Sequence, residues 1–117
     1  LGYLNDDISL RCLFSSADVL VVPSRAEAFC QVASEAHACG TPVAAFDIGG
    51  LKDVILHRYT GYLAEPFNVN DLASGIAWLL KNDLGDACRR HAVETFSINP
   101  IAKAYVEIYQ EVICSKN

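Results

Sequence analysis

Two glutamates, Glu27 and Glu35, stand eight residues apart in the stretch from Pro23 to Glu35. A carboxylate only accepts hydrogen bonds, which suits the paired hydroxyls of a ribose or a hexose. On a continuous helix the two would lie roughly 12 Å apart, about the span of a pyrophosphate with a sugar on either side. Between them Phe29, Cys30, Gln31 and Val32 fall where a helix begins. The first N–H groups of a helix are free and stand at the positive end of its dipole. They bind phosphate without a cationic side chain. The residues thus offer a sugar contact, a phosphate nest and a second sugar contact. The plainer alternative makes Glu27 a solvated loop acid and Glu35 an exposed helix residue.

Position favours chemistry. Val19-Leu20-Val21-Val22 reads as a buried parallel strand, and Val32 to Cys39 as a small-residue helix that stops at Gly40. The turn between them lies outside the carboxyl end of a strand, where open α/β sheets bind ligands. Thr41-Pro42 leads into a second strand, Val43 to Phe46, and the turn Asp47-Ile48-Gly49-Gly50 would face the same crevice. Its paired glycines permit positive φ or close backbone approach by a ligand, unless they form an ordinary turn.

The remaining elements complete a repeating order. Leu1 to Leu4 resembles the end of a strand, and Asn5 or Asp6 can cap a helix over Ile8 to Ser16 with Ile8, Cys12 and Leu13 inward. Leu51 to Leu56 is a short helix and Gly61 to Ala64 a third strand. Asn68 or Asn70 caps a helix whose Leu72, Ile76, Leu79 and Leu80 follow the helical period, and Leu84 to Thr95 forms the next. Asn99-Pro100 would open the last helix, with Ile101, Ala104, Tyr105, Ile108 and Val112 as its inner stripe. Strand and helix alternate, so the fold class is α/β: a Rossmann-like parallel sheet with flanking helices and right-handed crossovers. Three or four short strands make half of such a sheet, and residues 1–117 form one partial domain.

Bulk properties narrow the partners. The net charge of −5, from 9 basic and 14 acidic residues, argues against general nucleic-acid binding. The five cysteines, Cys12, Cys30, Cys39, Cys88 and Cys114, include no CxxC pair and read as free, small apolar residues. His37-Ala38-Cys39 lacks a second pair to complete a metal site. This usage fits the reducing cytosol, with peripheral membrane attachment left open for a longer protein. The chain does not begin with Met, so it reads as cut from something longer.

Ala17 to Phe29, Glu35 to Ala45, Gly49-Gly50, Thr60-Gly61-Tyr62-Leu63 and Phe96-Ser97 occur together in one order. In that order they resemble the retaining glycosyltransferases of family 4, the glycogen-synthase-like group. The resemblance covers nearly the whole chain. It implies GT-B architecture, two Rossmann-like domains about a cleft, with this chain a fragment of the C-terminal, donor-binding one. It implies transfer of a sugar from a nucleoside-diphosphate sugar to a hydroxyl of a glycan, lipid or small acceptor, with no metal or other cofactor. Glu27 would be the catalytic-site acid that contacts the transferred sugar, and Glu35 would hold the ribose. Phe29, Cys30, Gln31 and Val32 would line the diphosphate, with Gly49 and Gly50 beside the donor. Ala28 and Cys30 depart from the glycines that often flank the phenylalanine in this family.

By that resemblance, the basic residues that neutralise the leaving group, and the N-terminal domain, would lie outside these residues. The isolated chain is therefore expected to be inactive and to self-associate through uncovered apolar positions such as Tyr3, Tyr105 and Ile108. The alternative is a non-catalytic nucleotide- or sugar-binding half-module that works with another chain. A flavodoxin-like or response-regulator-like domain would need an acidic cluster at the strand ends, for which only Asp18 and Asp47 are candidates.

Overall fold

The computed structural model describes residues 2–115. Its elements are α1 (Asp7–Ser16), β1 (Leu20–Val22), α2 (Gln31–Ala38), β2 (Val43–Phe46), α3 (Leu51–Val54), β3 (Gly61–Ala64), α4 (Val69–Leu79), α5 (Gly85–Phe96) and α6 (Ile98–Ser115). The three strands are parallel in the order β1-β2-β3, with Val43 level with Leu20 on one side and Gly61 on the other. The α/β class and the parallel sheet are those expected from the alternation.

The core follows from the pleat. Side chains along a strand point alternately to the two faces. Val43 and Ala45 of β2 join Phe14, Ala33, Ala36, Leu51 and Val54 on one face. Ala44 and Phe46 join Tyr62, Leu72 and Leu79 on the other. All four residues of β2 are buried, as a central strand covered on both faces requires. Ala33 and Ala36 let α2 lie close to the sheet. Gly40, at φ +82°, turns the chain out of α2 as a left-handed helix stop should.

Several expectations are corrected. Residues 2–4 are irregular, because no strand pairs with them among the described residues; Leu1 lies outside those residues. Asp6, not Asn5, caps α1, accepting the Ser9 N–H at 2.7 Å, and Asn68, not Asn70, caps α4. The inner face of α1 is Leu10 and Phe14; Ile8 and Cys12 are exposed, because this helix packs along one face only. Leu80 is the C-cap that follows α4 and is exposed, and α3 stops at Val54. Cys30 and Cys88 are buried, but Cys12 and Cys114 face solvent rather than packing as small apolar residues. The last helix begins at Ile98, so Asn99 is not its cap. Pro100 sits in the first turn, where its missing N–H has no acceptor to lose. No residue of α6 is buried, and Ile101, Tyr105, Ile108 and Val112 lie open.

His37 is the unusual core residue. It lies on α2 facing α5, wholly buried, and neither ring nitrogen has a hydrogen-bond partner among the described residues. Its ring stands 6.2 Å from that of His91. Burial lowers the His37 pKa to about 4, the His91 charge adds to this, and the Thr60 backbone opposes it. The folded value lies below the unfolded one, so His37 costs nothing above pH 6.5 and removes stability as the pH falls from there towards 4. Between pH 7 and 5 this amounts to about 2 kcal/mol. His37→Leu should abolish that part of the acid sensitivity, read as a urea midpoint that changes less between pH 7 and 5 than the wild type's.

Candidate functional site

Parallel strands carry the loops that follow β1 and β2 out at the same edge of the sheet. There the two loops touch through backbone. The Gly50 N–H donates to the Glu27 carbonyl at 3.2 Å. A Cβ on Gly49 would overlap the Glu27 carbonyl oxygen, and one on Gly50 would overlap that of Ala28 and come within 3.1 Å of the Phe29 Cα. Gly49 also holds φ at +51°. The paired glycines thus admit a close approach, as expected, but the backbone they admit is the chain's own. Gly49, Gly50, Glu27, Ala28 and Phe29 form one wall.

Phe29 leads into α2 through Cys30, which caps the helix with left-handed backbone, φ 66° and ψ 70°. For a residue with a Cβ this conformation costs about 1–3 kcal/mol. The Cys30 carbonyl accepts the Ala33 N–H at 3.0 Å, and the side chain is buried. Burial pushes the Cys30 thiol up, and the Glu27 carboxylate adds to this against the Ala33 amide. A protonated, buried thiol is a poor nucleophile. The N–H groups of Cys30, Gln31 and Val32 find no acceptor among the described residues. Gln31 and Val32 are exposed, so these donors form an open helix start. Phe29 belongs to the loop before it. Of the two glutamates only Glu35 is helical, so the spacing along one axis does not apply.

Glu27 is half-buried in the loop, whereas Glu35 stands on the second turn of α2. Glu35 opens onto a groove of about 570 Å³ between α1, α2 and α5, beside Leu10, Arg11 and Arg89. The start of α2 separates the two acids, one on the glycine side and one on the groove side. Neither makes an ion pair among the described residues, and the Glu27 carboxylate lies beside the Cys30 thiol. Arg25 is a cation of the same loop that sequence reasoning passed over; its guanidinium stacks over Phe67, 5.3 Å from the ring centre. Among the described residues no three His, Cys, Asp or Glu gather closely enough to hold a metal ion. Nor is any helix among them long and apolar enough to cross a membrane.

A family model described as "Glycosyl transferases group 1" matches residues 1–95. The chain belongs to that family. It is 36% identical over 115 residues to an uncharacterised glycosyltransferase of Methanocaldococcus jannaschii, covering 94% of this chain and 29% of that protein. Sucrose-phosphate synthase from Thermosynechococcus elongatus superposes with a TM-score of 0.84 at 35% identity, over 98% of this chain and 30% of that one. Anabaena HepE, solved in complex with UDP, gives 0.75 at 25% identity over 85% and 29%. The chain therefore spans less than a third of the length of these glycosyltransferases. The GT-B glycosyltransferase resemblance and its Rossmann-like fold are the ones found.

The wall makes a direct demand on its glycines. Gly50→Ala should cost roughly 3 kcal/mol, since the added methyl must displace the Ala28 carbonyl. Ala28→Gly, which adds nothing to the contact, should cost far less; urea denaturation of both variants compares them.

Proposed function

We propose that this chain is the donor-binding part of a retaining glycosyltransferase that takes a nucleoside-diphosphate sugar. The observation that carries the proposal is the open start of α2, with unpaired N–H groups at Cys30, Gln31 and Val32 and a carboxylate on either side. These donors suit a diphosphate. Glu27, on the glycine wall, meets hydroxyls of the transferred sugar, and Glu35, on the groove side, takes the ribose hydroxyls. The UDP bound to HepE, a protein of the same fold, supports a nucleotide donor.

In the transfer the bond between the anomeric carbon and the diphosphate oxygen breaks with the electron pair on the diphosphate. The acceptor oxygen bonds to that carbon, and the acceptor proton ends on the released diphosphate. Charge develops on the leaving group, where amide dipoles already aimed at it lower the barrier. The donor is held without a metal, and the acceptor is a hydroxyl of a glycan, a lipid or a small molecule. Cations and an N-terminal domain supplied by the rest of the protein complete the cleft, so the 117 residues alone bind the donor weakly and do not turn it over. Five free cysteines support a cytosolic setting.

Titration with UDP and UDP-glucose followed by amide NMR tests the site. The signals of Cys30, Gln31 and Val32 should move, Glu35→Ala should weaken both ligands, and Glu27→Ala should weaken only the sugar nucleotide. Unmoved signals with UDP, GDP and ADP donors alike would sink the assignment. The uncovered apolar residues of α6 support self-association of the chain. Sedimentation should show a dimer or larger species at high concentration, and a clean monomer would count against it.

A further inference from the structure

The C-terminal half of α5 reaches the Glu27 loop and the end of α3. Phe96, its final residue, sets its ring edge-on to Phe29, with centroids 5.7 Å apart and planes at 81°. Phe96 meets the His91 ring in the same way, at 5.5 Å and 83°. His91 is itself anchored, with Nε2 lying 3.1 Å from the Val54 carbonyl at the end of α3. A carbonyl only accepts, so Nε2 carries a proton, while Nδ1 lies 3.3 Å from the Thr95 hydroxyl. α3 follows directly on Gly50. His91 therefore holds the helix behind the glycine turn, while Phe96 holds the loop that carries Glu27. Phe29 leaves 44% of its surface to solvent, and the Phe96 ring packs against it.

We propose that Phe96 is a positioning residue for the donor loop, bracing Phe29 so that the 27–30 backbone stays against the glycine turn and the first amides of α2 stay open. The consequence for donor binding rests on the reading under Proposed function; the coupling of Phe96 to the loop does not.

Hydrogen exchange of the Gly50 N–H in the 117-residue chain reads the coupling, since its acceptor is the Glu27 carbonyl. Relative to the amides of β2, which report global opening, Phe96→Ala should raise exchange at Gly50 about fivefold, the size expected for loss of an edge-to-face ring pair. Phe96→Tyr should restore the wild-type rate. Phe96→Leu keeps bulk without the ring and should not restore it; should Phe96→Ala fail to fold, Leu against Tyr makes the same comparison. Exchange at Gly50 that only follows β2 in every variant overturns the proposal. UDP-glucose titration then separates the two readings. Binding weakened by Leu and kept by Tyr supports positioning of the donor site, and equal binding in both overturns that consequence. A wild-type chain that binds no UDP or UDP-glucose overturns the donor reading, while exchange at Gly50 still decides the coupling.

Discussion

The site depends on one backbone contact, the Gly50 N–H on the Glu27 carbonyl, made where no Cβ fits. Each loop residue held in one conformation costs about 1–2 kcal/mol of chain entropy. A loop spanning Pro23 to Cys30 needs compensating contacts to keep one shape. Two loops that leave neighbouring parallel strands at the same edge can supply them to each other, provided the backbones come within hydrogen-bond distance. Glycine at both 49 and 50 is what allows this. The position of Glu27 then follows from the sheet rather than from the local turn.

The same contact explains a strained cysteine at a helix start. Held against the glycine turn, the loop must reverse sharply to enter α2, and Cys30 makes that turn with φ at 66°. Its buried side chain and the Ala33 N–H on its carbonyl offset the strain. The first amides of the helix, at Gln31 and Val32, find no acceptor among the described residues, and both residues are exposed. On the proposed reading, a chain with a net charge of −5 would meet a diphosphate through fixed dipoles rather than lysines.

Much of the frame was legible. Val43 to Phe46 and Gly61 to Ala64 are apolar runs with Thr-Pro and Gly at their starts, and both fold as strands over those residues. Gly40 stops α2 as read. Faces were harder, because periodicity tells which residues share a side of a helix but not what lies opposite. Ile8 and Cys12 share a side of α1, yet Leu10 and Phe14 meet the core. Ile101, Tyr105, Ile108 and Val112 share a side of α6, with nothing over it among the described residues. Along the site, residue types pointed to sugar and phosphate chemistry, but the partner of Gly49-Gly50 is remote in the chain. The burial of His37 against α5 is a tertiary fact of the same kind. No local pattern announces either.

Distance along the chain is also why the motif cannot be treated as self-sufficient. A peptide from Pro23 to Glu35 would contain both glutamates and every amide of the nest, yet it would lack Gly50, Val54, His91 and Phe96. The first supplies the hydrogen bond to the loop; Phe96 packs on Phe29, and behind Phe96 stands the His91 ring, held at the Val54 carbonyl. A helix of eight residues such as α2 is marginal in water by itself, so its open amides exist only because the sheet and α5 cover its other side. The residues that could recognise a donor and those that hold them in place therefore come from different parts of the sequence. Phe96 is placed to act on the site without touching a ligand, because its ring packs on Phe29 in the loop that leads to the first amides of α2.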